Sequence, residues 1–171
     1  IYGGLFCTLL IIFAIIMIQI RDRAPLHDYM SKNISSTKPY ATFDEFYPFY
    51  LSEHTQTTTR QWHYMGTTLS LFCLLTKPIL SIPMIAGGLA AYTIIPFTRH
   101  LSTGLYEIVL FLIIYLIGGQ LLTHSLSRTI LPLLFGYGFS WIGHFAFELN
   151  KPAAFIYPIY SFFGDIHMMY D

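Results

Sequence analysis

The chain has 171 residues, 54% of them apolar and only 11% charged, with a mean hydropathy of +0.56. Soluble domains carry roughly 25% charged residues, so this composition cannot solvate the outside of a water-soluble globule, and it is far too apolar for disorder. Nine Lys/Arg balance nine Asp/Glu, which gives no basic surface for nucleic acid. Cys7 and Cys73 both lie in apolar runs, and neither a disulfide framework nor a thiolate zinc site is indicated. The chain reads as an integral membrane protein.

Residues 1–20, IYGGLFCTLLIIFAIIMIQI, carry no charge and match the roughly 20 helical residues that cross a bilayer core. A signal peptide fits poorly, because no basic n-region and no small-residue cleavage site flank the run. This segment is expected to be an anchor helix. Residues 21–42, including SKNISSTKPY, are polar and read as a linker, and residues 43–171 as the membrane-embedded domain. The run FDEFYPFYL at 43–51 suits the headgroup level that aromatic rings prefer, and Pro48 is expected to open a helix carrying Glu53 and His54.

Four further apolar stretches follow, over 64–75, 79–97, 105–122 and 129–147. Lys77-Pro78 breaks the first pair, Arg99, His100 and Gly104 the next, and the stretch His124 to Arg128 the last. The first stretch is short and is expected to begin earlier, near Thr58. The fold class is therefore all-α, a polytopic transmembrane helical bundle with about five membrane helices, the N-terminal anchor plus four. With the C-terminal end of the anchor in the cytoplasm, Arg21, Arg23, Lys32, Lys38, Arg60, Arg99 and Lys151 fall inside, and only Lys77 and Arg128 outside. That bias sets the orientation, in a bacterial inner membrane or, in a eukaryote, the endoplasmic reticulum. The sequon at Asn33 then faces the cytoplasm and is read as chance.

Ionisable side chains in apolar helices cost roughly 2.5–3.5 kcal/mol each at the bilayer centre, so those present are functional candidates. On a helix starting near Thr58, Arg60, His63 and Thr67 share one face, with Gly66 leaving room for another backbone or a ligand. His54 lies nine residues before His63, and the two meet only if the chain folds back through the TQTTT stretch at 55–59. In FSWIGHFAFELNKPA, residues 139–153, Ser140, His144 and Glu148 follow at i, i+4 and i+8 as one polar stripe, and Asn150 and Pro152 end the helix. Four crossings separate His63 from His144, which places both at the same ends of their helices. His54, His63, His144 and Glu148 can then converge. Imidazoles with a carboxylate suit non-haem Fe(II), and zinc accepts similar ligands. His100 and His167 are expected at the surface, His124 on the opposite side and His27 in the linker. Glu107 is expected to pair with Arg99 or His100, and Asp165 is a candidate to hold a histidine through its second nitrogen.

The stretches FYPFYLSEH (46–54), Arg60 with HYMGT (63–67), and GYGFSWIGHFAFELNKPAAFIYPIYSFFGD (136–165) resemble the family of 2-hydroxy fatty acid dioxygenases, formerly described only as a domain of unknown function. The resemblance implies a membrane-bound, Fe(II)-dependent enzyme that uses molecular oxygen to shorten a 2-hydroxy fatty acid by one carbon. It makes His54, His63 and His144 the metal ligands and Glu148 either a ligand or a base acting from behind one. Arg60, with its bidentate donor fork, becomes the partner of the substrate carboxylate, and Ser140 and Asn150 are read as further polar contacts to the substrate. The acyl chain is expected between apolar helices, alongside membrane lipid.

Three rivals make different demands. A non-catalytic scaffold or partner-binding bundle requires no stoichiometric metal. A transporter would need a charge relay across the bilayer and broken helices in an inverted repeat, and neither is visible. Another lipid-oxidising iron enzyme, such as a desaturase, would be expected to show HxxxH and HxxHH spacings, which are absent.

Overall fold

A computed structural model describes residues 38–171, all of its regular structure helical. The anchor expected over 1–20, linker residues 21–37, Cys7, His27 and Asn33 lie outside the described residues. The elements are α1 (Phe43–Ser52), α2 (Thr57–Thr76), a 3-10 turn (Pro78–Leu80), α3 (Ser81–Thr93), a one-turn α4 (Ile95–Thr98), α5 (Leu105–Thr123) and α6 (Leu126–Ile142). A π-helical segment (Gly143–Glu148) extends α6, and a second 3-10 turn (Ala153–Phe155) leads into α7 (Pro158–Met168).

α1 starts five residues earlier than Pro48 suggests. Thr42 caps it, with Oγ1 accepting from the Glu45 N–H at 3.3 Å, while the Glu45 carboxylate accepts from the Ala41 N–H at 2.8 Å. This T-x-x-E arrangement satisfies donors that the first turn leaves open, and Pro48 is carried inside the helix. The helix stops at Ser52, so His54 sits just beyond it rather than on it.

α2 begins at Thr57, as expected, and runs to Thr76. Its N-terminus has no cap from its own side chains. At the other end, Lys77 leaves helical geometry and Pro78 contributes no N–H, so the chain bends by 110° into α3. This bend revises the expected crossings. Of the four stretches after the anchor, α5 and the continuous α6–π helix are each long and apolar enough to span a bilayer. α2 and α3 together form one bent pair, which brings the number of spans among the described residues to two or three. α3 has only 13 residues, about 20 Å of helix, short of a full crossing on its own.

α2 packs on α6, α3 on α5, and α5 on α6. The α2–α6 contact is close because Gly66 has no side chain: a Cβ there would lie 2.7 Å from both the Phe135 carbonyl oxygen and Phe139 Cβ. The outer face of α5 carries Ile113, Ile117 and Leu121, each more than half exposed, as suits a surface facing lipid. At one end of these helices an aromatic cluster of Phe46, Tyr50, Tyr157 and Tyr160 ties α1 to α7.

Lys38, expected at the end of a solvated linker, is instead buried against Glu107 at the start of α5. Thr98 Oγ1 donates to the same carboxylate at 2.5 Å. Glu107 thus pairs with neither Arg99 nor His100. A carboxylate this deeply buried requires a cation of its own, and the Lys38 backbone N–H, bonded to the Arg99 carbonyl at 2.8 Å, brings that cation in.

Candidate metal centre

His54, His63 and His144 come together. Their ring centroids are 4.5, 4.6 and 5.0 Å apart, and one potential ligand atom from each lies within 4.8 Å of the others. All three are buried, at 0%, 3% and 2% exposure. The chain fold-back predicted through residues 55–59 joins the first two. The antiparallel return along α6 supplies the third.

Each ring is held by its Nδ1. His54 Nδ1 is 2.6 Å from the Tyr50 carbonyl oxygen, four residues back where α1 unwinds. His63 Nδ1 is 2.5 Å from Asp165 Oδ1, and the Tyr50 hydroxyl donates to that same oxygen. His144 Nδ1 is 2.7 Å from Asn150 Oδ1. The Asn150 amide orientation is fixed in turn, because its Nδ2 donates to the Glu53 carbonyl at 3.0 Å and to Glu53 Oε2 at 2.9 Å. Carbonyl, carboxylate and amide oxygens only accept, so each ring donates from Nδ1, and in a neutral ring the Nε2 lone pair is left over. Nε2 of His54 and of His63 is buried with no protein partner.

Buried imidazole nitrogens left without a partner are costly unless something shares them, since an unsatisfied buried polar atom costs about 1–3 kcal/mol. A proton is a poor solution: burial first, and then the neighbouring rings, push His54 down to about 3. A divalent metal is a good one. Three nitrogen donors with their second nitrogens anchored are the usual arrangement of histidine ligands, compatible with iron and with other first-row metals.

Glu148, expected on one stripe with His144, ends the π-helical segment and turns to other partners. The Glu148 carboxylate instead accepts from the Thr55 N–H at 2.8 Å, Thr55 Oγ1 at 2.5 Å and the Gln56 N–H at 3.1 Å. It thereby caps α2 from outside, a negative charge at a helix N-terminus. Glu148 is not in the cluster of candidate ligands. Leu149 then adopts a left-handed conformation (φ 57°), which reverses the chain and brings Asn150 behind His144. Asn150, read from sequence as a substrate contact, thus stands behind His144, a candidate ligand.

Arg60 is bonded to backbone. Its Nε donates to the His54 carbonyl at 2.7 Å, and Arg60 is not among the residues lining the cavity described next. Ser140 does line that cavity, although its hydroxyl donates to the Gly136 carbonyl at 2.8 Å. His100 and His124 are exposed and His167 packs edge-on against Tyr47, all outside the cluster. Tyr50 was invisible to sequence reading as a site residue, since its part is played by a backbone carbonyl and a hydroxyl 115 residues from its partner.

A cavity of about 1060 Å³ opens from the histidines and runs between α2, α3, α6 and α7. Its walls are almost wholly apolar. His63, His144 and Asp165 lie on its surface. Residues 40–171 match the family described as 2-hydroxy-palmitic acid dioxygenase Mpo1-like. The chain belongs to this family. The match takes in α1 through α7 and begins inside the stretch read as linker. No curated protein and no solved structure gives a match.

Proposed function

We propose that this protein is a membrane-embedded, Fe(II)-dependent dioxygenase that shortens 2-hydroxy fatty acids by one carbon. The observation that carries this reading is the set of three anchored imidazoles, two of which, His63 and His144, line a large apolar cavity. His54, His63 and His144 hold the metal. Fe(II) supplies the capacity to bind and activate molecular oxygen, which amino-acid side chains lack.

The protein's own contribution is placement and exclusion of water. Asp165, Asn150 and the Tyr50 carbonyl fix the tautomer and tilt of the three rings. Arg60 braces the His54 carbonyl, and Glu148 locks the loop between His54 and α2. The polar end of a 2-hydroxy acid lies at the histidines, while its chain leaves water for the apolar cavity, worth roughly 0.8 kcal/mol per buried CH₂. This reading makes Glu148 a brace, and it takes Arg60 and Asn150 away from direct contact with substrate.

Iron-loaded protein in lipid should consume oxygen with a long-chain 2-hydroxy acid and yield the acid one carbon shorter. The unhydroxylated acid should be a poor substrate. Turnover of another lipid with no response to 2-hydroxy acids would retain the metal centre and reject the substrate.

A further inference from the structure

Glycine inside a helix costs about 0.5–1 kcal/mol relative to alanine, so a mid-helix glycine calls for a reason. Most here have one in the packing. A Cβ on Gly87 would lie 3.0 Å from the Phe111 carbonyl oxygen, and one on Gly66 would strike α6. Two do not. A Cβ on Gly88 would meet nothing within 4 Å, and one on Gly136 would meet only Ser70, at 3.8 Å. Gly88, Gly136 and Ser70 all line the cavity that opens from the histidines.

Their depth can be read from the helices. Ser70 lies seven residues beyond His63 on α2, about 10 Å along the axis, and Gly136 eight residues before His144 on α6, about 12 Å. The two helices thus agree that the Gly136–Ser70 pair stands about 10–12 Å from the site. Leu74, deeper on the same wall, is about 16 Å from His63. One leaflet of a bilayer core is about 15 Å thick, so the cavity is as deep as the acyl chain of a membrane lipid is long. The buried, unpartnered Nε2 of His63 marks where in the cavity the polar group of such a molecule belongs.

We propose that Gly136, with Ser70 beside it and Gly88 on the wall formed by α3, gauges acyl-chain length: the absence of side-chain bulk at these positions admits a chain of membrane-lipid length past the midpoint of the cavity. This deepens the dioxygenase reading and rests on it for the identity of the head group. The chain site itself is independent of the metal.

The test uses the full chain in lipid nanodiscs and straight-chain saturated fatty acids of increasing length, competing against a fluorescent fatty acid. Affinities are read as the ratio of variant to wild type, which cancels partitioning into lipid. Gly136→Leu should bind the short acids as wild type does and lose about fifteenfold or more on the longest, the equivalent of two methylenes at about fourfold each. Gly136→Ala should fall between, and Gly88→Leu should likewise penalise long chains only. If Gly136→Leu does not fold, Ser70→Leu at the same depth carries the test. A ratio independent of chain length, or wild-type affinity of Gly136→Leu for the longest acids, would overturn the proposal. Loss of long-chain binding in a protein that oxidises no 2-hydroxy acid would sink the reaction and leave the gauge standing. Oxidation of 2-hydroxy acids with one chain-length profile in wild type and Gly136→Leu would do the reverse.

Discussion

His63 Nδ1 lies 2.5 Å from Asp165 Oδ1, across 102 positions of sequence, and this contact ties α7 to the ring that faces His54 and His144. A carboxylate behind a histidine fixes the tautomer and strengthens the lone pair on the other nitrogen. Asp165→Leu should therefore weaken metal binding about 10–100-fold, with Asp165→Asn, which keeps an acceptor, losing less. A metal titration of the three proteins checks it. Equal affinity in all three would mean that Asp165 serves α7 packing alone.

Glu148 caps α2, and its removal should cost stability before it costs metal. Glu148→Gln is expected to lower stability by about 1 kcal/mol, the usual scale of a lost helix cap, and to keep its metal. Thermal unfolding and elemental analysis of one preparation separate the two effects. Metal loss matching that of His144→Ala would restore Glu148 as a ligand.

Acid should destabilise the metal-free protein through His54. The folded-state value is held down to about 3 by burial, whereas an unfolded histidine titrates near 6.5. The unfolded chain then binds a proton that the folded one refuses, so stability is complete above 6.5 and is lost as pH falls toward 3. His54→Asn should flatten that part of the profile. A stability curve that rises on acidification from 6.5 would contradict the neutral, buried state of the ring.

The buried pair of Lys38 and Glu107 invites a double-mutant cycle. Lys38→Met alone leaves a carboxylate stranded and should cost about 3–5 kcal/mol, while Lys38→Met with Glu107→Leu should recover most of it. Unfolding midpoints of the two single variants and the double variant measure the coupling. Additive losses would show that the pair is not what holds residue 38 to α5.

Much of the site could be read in the sequence because its residues announce themselves by type. A histidine in an apolar run is conspicuous, and His54, His63 and His144 do meet, although the four crossings expected between His63 and His144 are replaced by a bent pair and two long helices. What escaped was local backbone geometry. The i, i+4, i+8 stripe of Ser140, His144 and Glu148 assumes an α-helix throughout, whereas Gly143–Glu148 is π-helical and the Glu148 carboxylate is taken up by the Thr55 and Gln56 N–H groups. Nothing in GHFAFE signals that turn. The left-handed Leu149 that swings Asn150 behind His144 is equally silent, since leucine seldom adopts that conformation.

The helix pattern divides in the same way. α5 and α6 were legible because long charge-free runs have few alternatives. The bend at Lys77-Pro78 was visible as a break, but its angle, which turns two expected crossings into one bent pair, depends on how α3 settles against α5. Lys38 looked like linker because its partner Glu107 is 69 residues away.

The central claim is that three histidines hold one metal ion, and metal content tests it most directly. Purified wild-type protein should carry about one iron per chain after reconstitution with Fe(II), each of His54→Ala, His63→Ala and His144→Ala should lose most of it, and His124→Ala should keep it. A triple variant of His54, His63 and His144 that retained the full complement of metal would contradict the account.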